Sequence, residues 1–241
     1  MQQVVFTDLG LINYKLVWDR QEQLLQQNVA IKAALRNTTL ALKEYPTTTH
    51  YCIFCEHNPV YTLGKSGNMA NVLLSEMELE EKQIQFFKIN RGGDITYHGP
   101  GQIVGYPILD LEKFYTDIGL YLRNIEEVVI RTLAEYSIVG QRSQGETGVW
   151  ILPNSKGQER KICAIGVRCS RWVTMHGFAL NVNTDLAYFD NIIPCGIHNK
   201  QVTSMQKELG YQVDMQQVKQ KLKHHFGQIF QINFVEPSMP L

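Results

Sequence analysis

The spacing of apolar residues predicts three long amphipathic helices. From Tyr14 to about Leu42, apolar residues recur at three- and four-residue intervals, and Asn13 stands where it can cap the first turn. From Asp117 to Tyr136, one broad apolar stripe consists of Leu120, Ile125, Val128, Val129, Leu133 and Ala134. The third helix follows Asp214, a good N-cap, and carries Val218, Leu222, Phe226 and Ile229 on one face.

Short extended runs bounded by turn residues predict the strands. They are Val4 to Phe6, His50 to Glu56, Val60 to Leu63, Gln85 to Ile89, Ile103 to Leu111, Val149 to Leu152, Lys161 to Cys169 and Thr174 to Val182. Ser75 to Glu78 has a capping-box pattern before a short helix. Neither a linker nor a repeat divides the chain. We therefore expect residues 1–241 to form a single domain of the α/β (α+β) class, with a mixed, mostly antiparallel sheet flanked by helices.

The amino-acid composition limits the binding partners and the cellular compartment expected for such a domain. The 241 residues include 23 basic and 23 acidic side chains, so no global attraction to nucleic acid or to an anionic membrane is expected. The 5 cysteines are odd in number and lie mostly in apolar runs, unlike a secreted disulfide framework. No apolar run approaches the roughly 18 residues of a membrane helix, and the N-terminus lacks a signal-peptide pattern. These features favour a reducing cytoplasm.

The composition of the stretch RGGDITYHGPGQ, from Arg91 to Gln102, is the hardest in the chain to explain by a purely structural role. It places four glycines and a proline beside an arginine, a threonine, a tyrosine and a histidine, between two predicted strands. A polar hairpin loop is the simplest interpretation, because glycine collects in connections. The density of functional groups favours instead a loop that brings backbone close to a ligand.

Two further residues could carry chemistry. Lys161 begins an apolar strand, in which strict alternation would put Lys161, Cys163, Ile165 and Val167 on one face, and Cys195 lies in the turn IPCGI. A lysine at a strand start is most often solvated, and a cysteine in a turn is most often inert. An ordinary cysteine is only a few per cent thiolate at pH 7. A nearby ammonium could supply the roughly 2 kcal/mol that lowering its pKa by about 1.5 units requires.

Metal chemistry has little support in the sequence. Cys52 and Cys55 are three positions apart, so strand periodicity predicts side chains on opposite faces, and only His50 and His57 lie near them. The other histidines that could contribute are too scattered for a metal signature: His98, His176 and His198. No Gly-x-Ser-x-Gly elbow is present.

Three blocks, in this order and spacing, together carry a specific resemblance. RGGDITYHGPGQ, then KICAIG with HGFALNVN (Lys161 to Asn183), then PCGI with VTSM (Pro194 to Met205) resemble the lipoyl(octanoyl) transferases of lipoate biosynthesis. The similarity runs over nearly the whole chain. The first block alone is less specific, because lipoate and biotin protein ligases carry a related loop. The resemblance implies the fold of the biotin/lipoate protein ligases.

The resemblance also implies an acyl transfer in two steps, without metal or cofactor. Octanoyl would pass from octanoyl-acyl carrier protein to Cys195 as an acyl-thioester, and then to a lysine on the lipoyl domain of a 2-oxoacid dehydrogenase or on the glycine cleavage H protein. Lys161 matches the family lysine that activates the cysteine and moves the proton. The implied substrate-binding residues are Arg91, Gly92, Gly93, Asp94, Ile95, Thr96, Tyr97, His98, Ala164, Ile165, Gly166, Gly177, Phe178 and Ala179.

Elementary chemistry suits these roles. Gly166 and Gly177 would let backbone lie close to an acyl chain, and each buried methylene of the tail would contribute about 0.8 kcal/mol. Arg91, Tyr97 and His98 would position and enclose the arm of the acyl carrier.

Two other functions stay open: an ATP-dependent lipoate or biotin protein ligase with the same glycine loop, and a non-catalytic acyl- or lipoyl-binding module.

Overall fold

The computed structural model describes residues 1–36, 46–193 and 201–237. The helices are α1 (Tyr14–Arg36), α2 (Glu76–Glu81), α3 (Ile118–Ala134), α4 (Met205–Leu209) and α5 (Met215–Phe230). The strands are β1 (Gln2–Ile12), β2 (His50–His57), β3 (Val60–Leu63), β4 (Gln85–Lys88), β5 (Ile95–His98), β6 (Gln102–Ile108), β7 (Val149–Ile151), β8 (Arg160–Ser170), β9 (Val173–Asn181), β10 (Gln201–Val202) and β11 (Ile232–Val235). Within these ranges, no helix combines the length and the apolarity needed to cross a membrane. The predicted extension of the first helix to Leu42, like Cys195 and His198, falls outside them.

The described strands form one large and one small sheet. The large sheet has the order β10-β8-β9-β6-β2-β1-β11, with β7 added on β8, and the small sheet has the order β4-β3-β5. Four of the seven described neighbouring pairs of the large sheet are antiparallel (β2–β6, β6–β9, β7–β8 and β8–β9). The other three pairs are parallel. The predicted mixed, mostly antiparallel sheet with flanking helices is therefore confirmed.

Helices cover both faces of the large sheet. Helix α1 packs on one face, where Ile53, Cys55 and Val104 belong to its apolar cluster. Helices α3 and α5 pack on the other face, together with Cys52 and Phe54. Alternation along β2 thus separates Cys52 from Cys55, as predicted, and no group of side chains in the described ranges is arranged to hold a metal ion.

Helix caps are the most accurate local predictions. The N–H of Lys15 donates to Asn13 Oδ1 (2.9 Å), and Ser75 forms the predicted capping box with Glu78. Asp214 caps α5 as predicted, and Asp117, predicted as the first residue of its helix, is the N-cap of α3. Each cap satisfies backbone donors that have no partner within the helix, so its signal does not depend on tertiary contacts.

The predicted stripe on α3 is wrong at both ends. Leu120 is 44% exposed and Ala134 is also exposed, whereas Tyr121, Ile125 and their neighbours along the stripe are buried. A helix turns about 100° per residue, so Ala134, nine positions after Ile125, lies on the opposite side. The sheet contacts a narrower face than the count of apolar residues suggested.

The glycine-rich stretch is not a simple loop between two strands. Residues Ile95–His98 form β5, which pairs antiparallel with β3 and completes the small sheet. The N–H of Gly92 donates to the carbonyl of Val167 (2.9 Å), so the stretch also crosses onto β8. This connection fastens the small sheet beside the large one.

Candidate active site

A pocket opens between the small sheet and the face of the large sheet that α1 covers. Its empty volume is about 790 Å³, open solvent at the mouth included. The implied site residues in its lining are Lys161, Arg91, Gly93, Asp94, Ile95, Thr96, His98, Ala164, Ile165, Gly166, Gly177, Phe178 and Ala179. Gly92 and Tyr97 do not line it. Sequence reasoning missed the remaining lining residues: Tyr14, Gln102, Val104, Tyr106, His176, Asn181, Phe189 and Val202.

The floor of the pocket is a groove across three paired strands. Val104 of β6 lies opposite Ala179 of β9, which lies opposite Ala164 of β8. In the next row towards the end of β6, Gly177 lies opposite Gly166. Rows on one face are two residues apart, about 7 Å along the strands. The small side chains of Val104, Ala179 and Ala164 leave an apolar channel over their row, and the row of Gly177 and Gly166 marks its end.

A β-bulge aims Lys161 into this groove. Val149 pairs with Cys163 whereas Trp150 pairs with Lys161, so β8 holds one extra residue opposite β7. Ile162 and Cys163 both join the apolar cluster on the α3 side, and Lys161 lines the pocket with Ala164. The predicted sharing of one face by Lys161 and Cys163 is therefore wrong, because a bulge interrupts the alternation.

The Lys161 side chain lies between an aromatic ring and a glycine. Its Nζ is 4.5 Å from the centroid of the Trp150 ring, a cation–π distance. A Cβ on Gly148 would lie 3.5 Å from Lys161 Cε and 2.6 Å from the Cys163 carbonyl oxygen. Gly148 also has a φ of +122°, which only glycine adopts readily. A larger residue at position 148 would therefore clash with the backbone of β8 at Cys163, beside the lysine stem.

A buried carboxylate holds that glycine in place. Glu126 is fully buried, accepts from Gly148 N–H (3.0 Å) and Arg142 Nε (3.0 Å), and forms an ion pair with Arg123 Nη1 (2.8 Å). Two guanidinium groups and a backbone donor satisfy the carboxylate, as a buried charge requires. Helix α3 therefore fixes the wall beside Lys161.

A chain of side-chain hydrogen bonds connects the small sheet to the Lys161 strand. His98 Nδ1–H donates to Gln102 Oε1 (2.8 Å), because the Gln102 amide nitrogen donates to Asn181 Oδ1 (2.9 Å). Asn181 Nδ2 donates to the carbonyl of Thr203 (3.0 Å). The N–H of Thr203 donates to the carbonyl of Lys161 (2.9 Å). These bonds hold the pocket wall and the strand that bears the lysine in one arrangement.

The residues on both sides of positions 194–200 are connected to the pocket lining. The N–H of Ile193 donates to the carbonyl of Asn71 (2.9 Å), whose side-chain amide donates to the lining residue Asp94 (2.5 Å). Val202 lines the pocket from β10. Cys195 itself lies outside the described residues.

The cysteines in the described ranges are poor nucleophiles. Burial raises the pKa of Cys52, Cys55 and Cys163 well above the ordinary thiol value. Burial also raises the pKa of Cys169, which is half-buried. A thiol with a raised pKa holds too little thiolate at neutral pH to attack an ester. The nucleophile predicted at Cys195 has no competitor among these four.

The glycines of the two matched β8 and β9 segments have a different role from the one expected. A Cβ on Gly177 would overlap the carbonyl oxygen of Gly105 and lie 2.7 Å from Pro107 Cδ. A Cβ on Gly166 would lie 2.8 Å from the carbonyl oxygen of Gly92. The space above each glycine is therefore filled by backbone rather than left open for a ligand. These glycines let protein segments approach one another at the groove.

Arg91, Tyr97 and His98 are buried rather than placed to enclose a carrier's arm. They are 8%, 1% and 6% exposed. Arg91 Nη2 donates to the Thr62 carbonyl (2.6 Å), and the Tyr97 ring stacks on Tyr188 at 4.6 Å, away from the pocket lining. The three side chains build the inner wall and its support.

Some of the pocket-lining residues that were not predicted could have been found from the sequence pattern. Gln102, Val104 and Tyr106 alternate along one strand, and Asn181 continues the alternation that begins at Gly177. Period-two extension of the matched blocks would have found these residues. Tyr14 comes from the start of α1, and nothing local in the sequence links it to the pocket.

Four buried histidines are neutral in the folded chain. Burial lowers the pKa of His50 and His57 to about 4, and that of His98 and His176 to about 3. An unfolded histidine has a pKa near 6.5. Below about pH 6.5, the unfolded chain therefore binds protons that the folded chain does not.

This difference predicts a loss of stability in mild acid. As the pH falls from about 6.5 to about 4, unfolding takes up to about four protons and the free energy of unfolding decreases by several kcal/mol. Urea unfolding at half-unit pH steps measures the effect. A midpoint that stays constant between pH 6.5 and pH 4.5 would show that these rings are already protonated in the fold.

Comparison with known proteins agrees with the motif blocks. The model of the lipoyl protein ligase A/B catalytic domain matches residues 26–227. The octanoyltransferase of Flavobacterium psychrophilum is 60% identical over 224 residues, 92% of this chain and 94% of that relative. The octanoyltransferase of Christiangramia forsetii is 57% identical over 231 residues, 95% of this chain and 97% of that relative.

Solved structures share the fold at low sequence identity. The bi-partite lipoate protein ligase of Thermoplasma acidophilum has a TM-score of 0.71 at 15% identity, covering 100% of this chain and 88% of that chain. A lipoate-protein ligase A bound with ATP has a TM-score of 0.67 at 14% identity, covering 99% and 89%. With the extent and identity of the curated matches, the chain belongs to the lipoyl protein ligase A/B catalytic-domain family and, within it, to the octanoyltransferases.

Proposed function

We propose that residues 1–241 form one catalytic domain that moves an octanoyl group from octanoyl-acyl carrier protein, through a thioester on Cys195, to a lysine of a lipoyl domain. The acceptors are lipoyl domains of 2-oxoacid dehydrogenases or the glycine cleavage H protein, and the setting is the cytoplasm. The observation that carries the proposal is the bulge that turns Lys161 into an apolar groove. A titratable amine at one end of an alkyl-sized channel suits acyl transfer.

In the first half-reaction, Lys161 Nζ accepts the proton of the Cys195 thiol. The thiolate attacks the thioester carbonyl carbon, the bond from that carbon to the phosphopantetheine sulfur breaks, and the leaving thiolate takes the proton from Lys161. In the second half-reaction, the acceptor lysine amine attacks the same carbon. The bond to Cys195 Sγ breaks, the amide forms, and Lys161 conveys the released amine proton to the departing thiolate.

The groove supplies binding energy for the acyl tail. Val104, Ala164 and Ala179 present small apolar surfaces in one row, and Phe178 and Ile165 also line the pocket. Transfer of each methylene from water contributes about 0.8 kcal/mol. An acyl chain buried along the groove would therefore remain on the enzyme between the two half-reactions.

The test is to incubate the protein with octanoyl-acyl carrier protein, without ATP, and to measure its intact mass. We expect one octanoyl adduct on the wild type and none on Cys195→Ala, because the variant lacks the attacking sulfur. Cys169→Ala serves as the matched control, since Cys169 is half-buried outside the pocket lining. An adduct of equal yield on Cys195→Ala would refute the proposal, and transfer that needs ATP would favour a ligase instead.

A further inference from the structure

The end of the groove remote from Lys161 is polar, although an octanoyl tail ends in a methyl group. Four buried side chains line this region, which we call the polar end: Tyr14, Arg91, Tyr106 and His176. Arg91 Nη1 lies near the Gly166 row, where it would be 3.4 Å from an added Cβ. His176 lies opposite Val167, one residue beyond that row. The apolar floor therefore stops where hydrogen-bonding groups begin.

Two side chains of the polar end, Tyr106 and Tyr14, are held from outside the pocket. The Tyr106 hydroxyl donates to His57 Nε2 (2.8 Å), because His57 Nδ1–H donates to the carbonyl of Ile12 (2.9 Å). The Tyr14 ring is stacked against Phe87, which does not line the pocket, at 5.5 Å and 25°. Neither ring can move without giving up contacts behind it.

His176 is the most constrained member. It has a φ of +57°, an unusual conformation for a strand residue, and its N–H donates to the buried Gln21 Oε1 (2.9 Å). Its Nε2 is buried and has no hydrogen-bond partner among the described residues. Backbone strain retained at a pocket wall indicates a position that the surrounding structure over-determines. The backbone of His176 is therefore fixed, and its side chain lines the end of the groove.

The length of the groove matches an eight-carbon chain. From Lys161 to Gly166, β8 advances about 13 Å, because one of the five residue steps belongs to the bulge. The lysine side chain and the sulfur–carbonyl junction occupy the first part of that distance. An extended octanoyl chain, about 9 Å long at ordinary bond lengths, occupies the rest and places its methyl group at the row formed by Gly166 and Gly177.

We infer that Tyr106 and His176 are specificity-determining residues that set the upper limit of acyl length. A tail two carbons longer has to fold back or push its end against buried polar groups that cannot retreat. Methylenes buried there would also keep water from His176 Nε2, which has no hydrogen-bond partner among the described residues, and this disfavours the longer chain. The inference rests on the proposed octanoyl transfer, which places the acyl carbonyl beside Lys161.

The test compares acyl carrier proteins loaded with hexanoyl, octanoyl, decanoyl and dodecanoyl groups. We expect kcat/KM of the wild type to be at least about tenfold lower for decanoyl than for octanoyl. His176→Gly removes the ring and relieves the positive φ, and should raise the decanoyl-to-octanoyl ratio about tenfold. Tyr106→Phe removes only the hydroxyl and should raise it less, about threefold. His224→Ala, an exposed position on α5, is the control and should leave the ratio unchanged.

If His176→Gly is too unstable, His176→Asn is a second variant that removes the imidazole ring from the end of the groove. Asparagine tolerates a positive φ better than most residues. Equal wild-type rates with decanoyl and octanoyl would overturn the inference without any variant. It would also be overturned if folded His176→Gly and His176→Asn kept the wild-type ratio. If the wild type forms no octanoyl adduct on Cys195, the proposed function fails; if the adduct forms and the ratios do not change, only the length limit fails.

Discussion

Replacing Lys161 by arginine is expected to reduce octanoyl transfer about a thousandfold while the protein remains folded. Arginine keeps the positive charge beside Trp150 but does not release a proton near neutral pH, so it cannot take one from a thiol. Positioned proton transfer contributes about 10² to 10⁴ in rate. The measurement is kcat/KM with octanoyl-acyl carrier protein, accompanied by thermal unfolding.

Lys82→Arg is the matched control for this change. Lys82 is exposed at the end of α2 and lies outside the pocket lining, so the same substitution should leave transfer unchanged. Transfer by Lys161→Arg within about tenfold of the wild type, with an unchanged melting temperature, would mean that charge alone suffices. The proton-shuttle role of Lys161 would then be wrong.

Replacing Gly177 by alanine should produce the second large effect, on stability. The added Cβ would overlap the Gly105 carbonyl and approach Pro107 Cδ to 2.7 Å, and both neighbours belong to the paired strand β6. Overpacking against backbone that cannot rotate away costs about 3 kcal/mol or more. For a chain of this size, that cost corresponds to a melting temperature lower by about 6–12 °C.

Gly227→Ala provides the same chemical change where space is available. Its added Cβ would be 3.6 Å from the Ile232 carbonyl oxygen, an ordinary contact, inside helix α5. Alanine is a better helix former than glycine, so the melting temperature should stay constant or rise slightly. If Gly177→Ala melted within about 2 °C of the wild type, the close packing of β6 on β9 at the groove would be refuted.

Local signals in the sequence predicted most of the fold. The caps at Asn13, Ser75 and Asp214 and the apolar period of α5 depend on neighbouring residues, and the structure confirms them. The separation of Cys52 from Cys55 followed from strand alternation alone. Such features need no knowledge of how the elements pack.

The site was less predictable, because it depends on tertiary interactions. The bulge opposite β7 that redirects Lys161 exists only when β7 and β8 pair with unequal numbers of residues. The buried Gln21 on α1 holds the backbone of His176, 155 positions away. Neither relation leaves a periodic pattern in the sequence. The motif blocks therefore identified Lys161 and most of the pocket lining, whereas the bulge and the contact behind His176 required the structure.

A crystal structure of the octanoyl-enzyme is the most direct test of the account. We predict that Cys195 Sγ carries the acyl carbonyl within about 4 Å of Lys161 Nζ, a distance close to hydrogen-bond reach. The alkyl chain should lie over Ala164 and Ala179 and end at the row of Gly166 and Gly177. An acyl chain outside this groove, or a sulfur more than about 8 Å from the lysine nitrogen, would contradict the proposed mechanism.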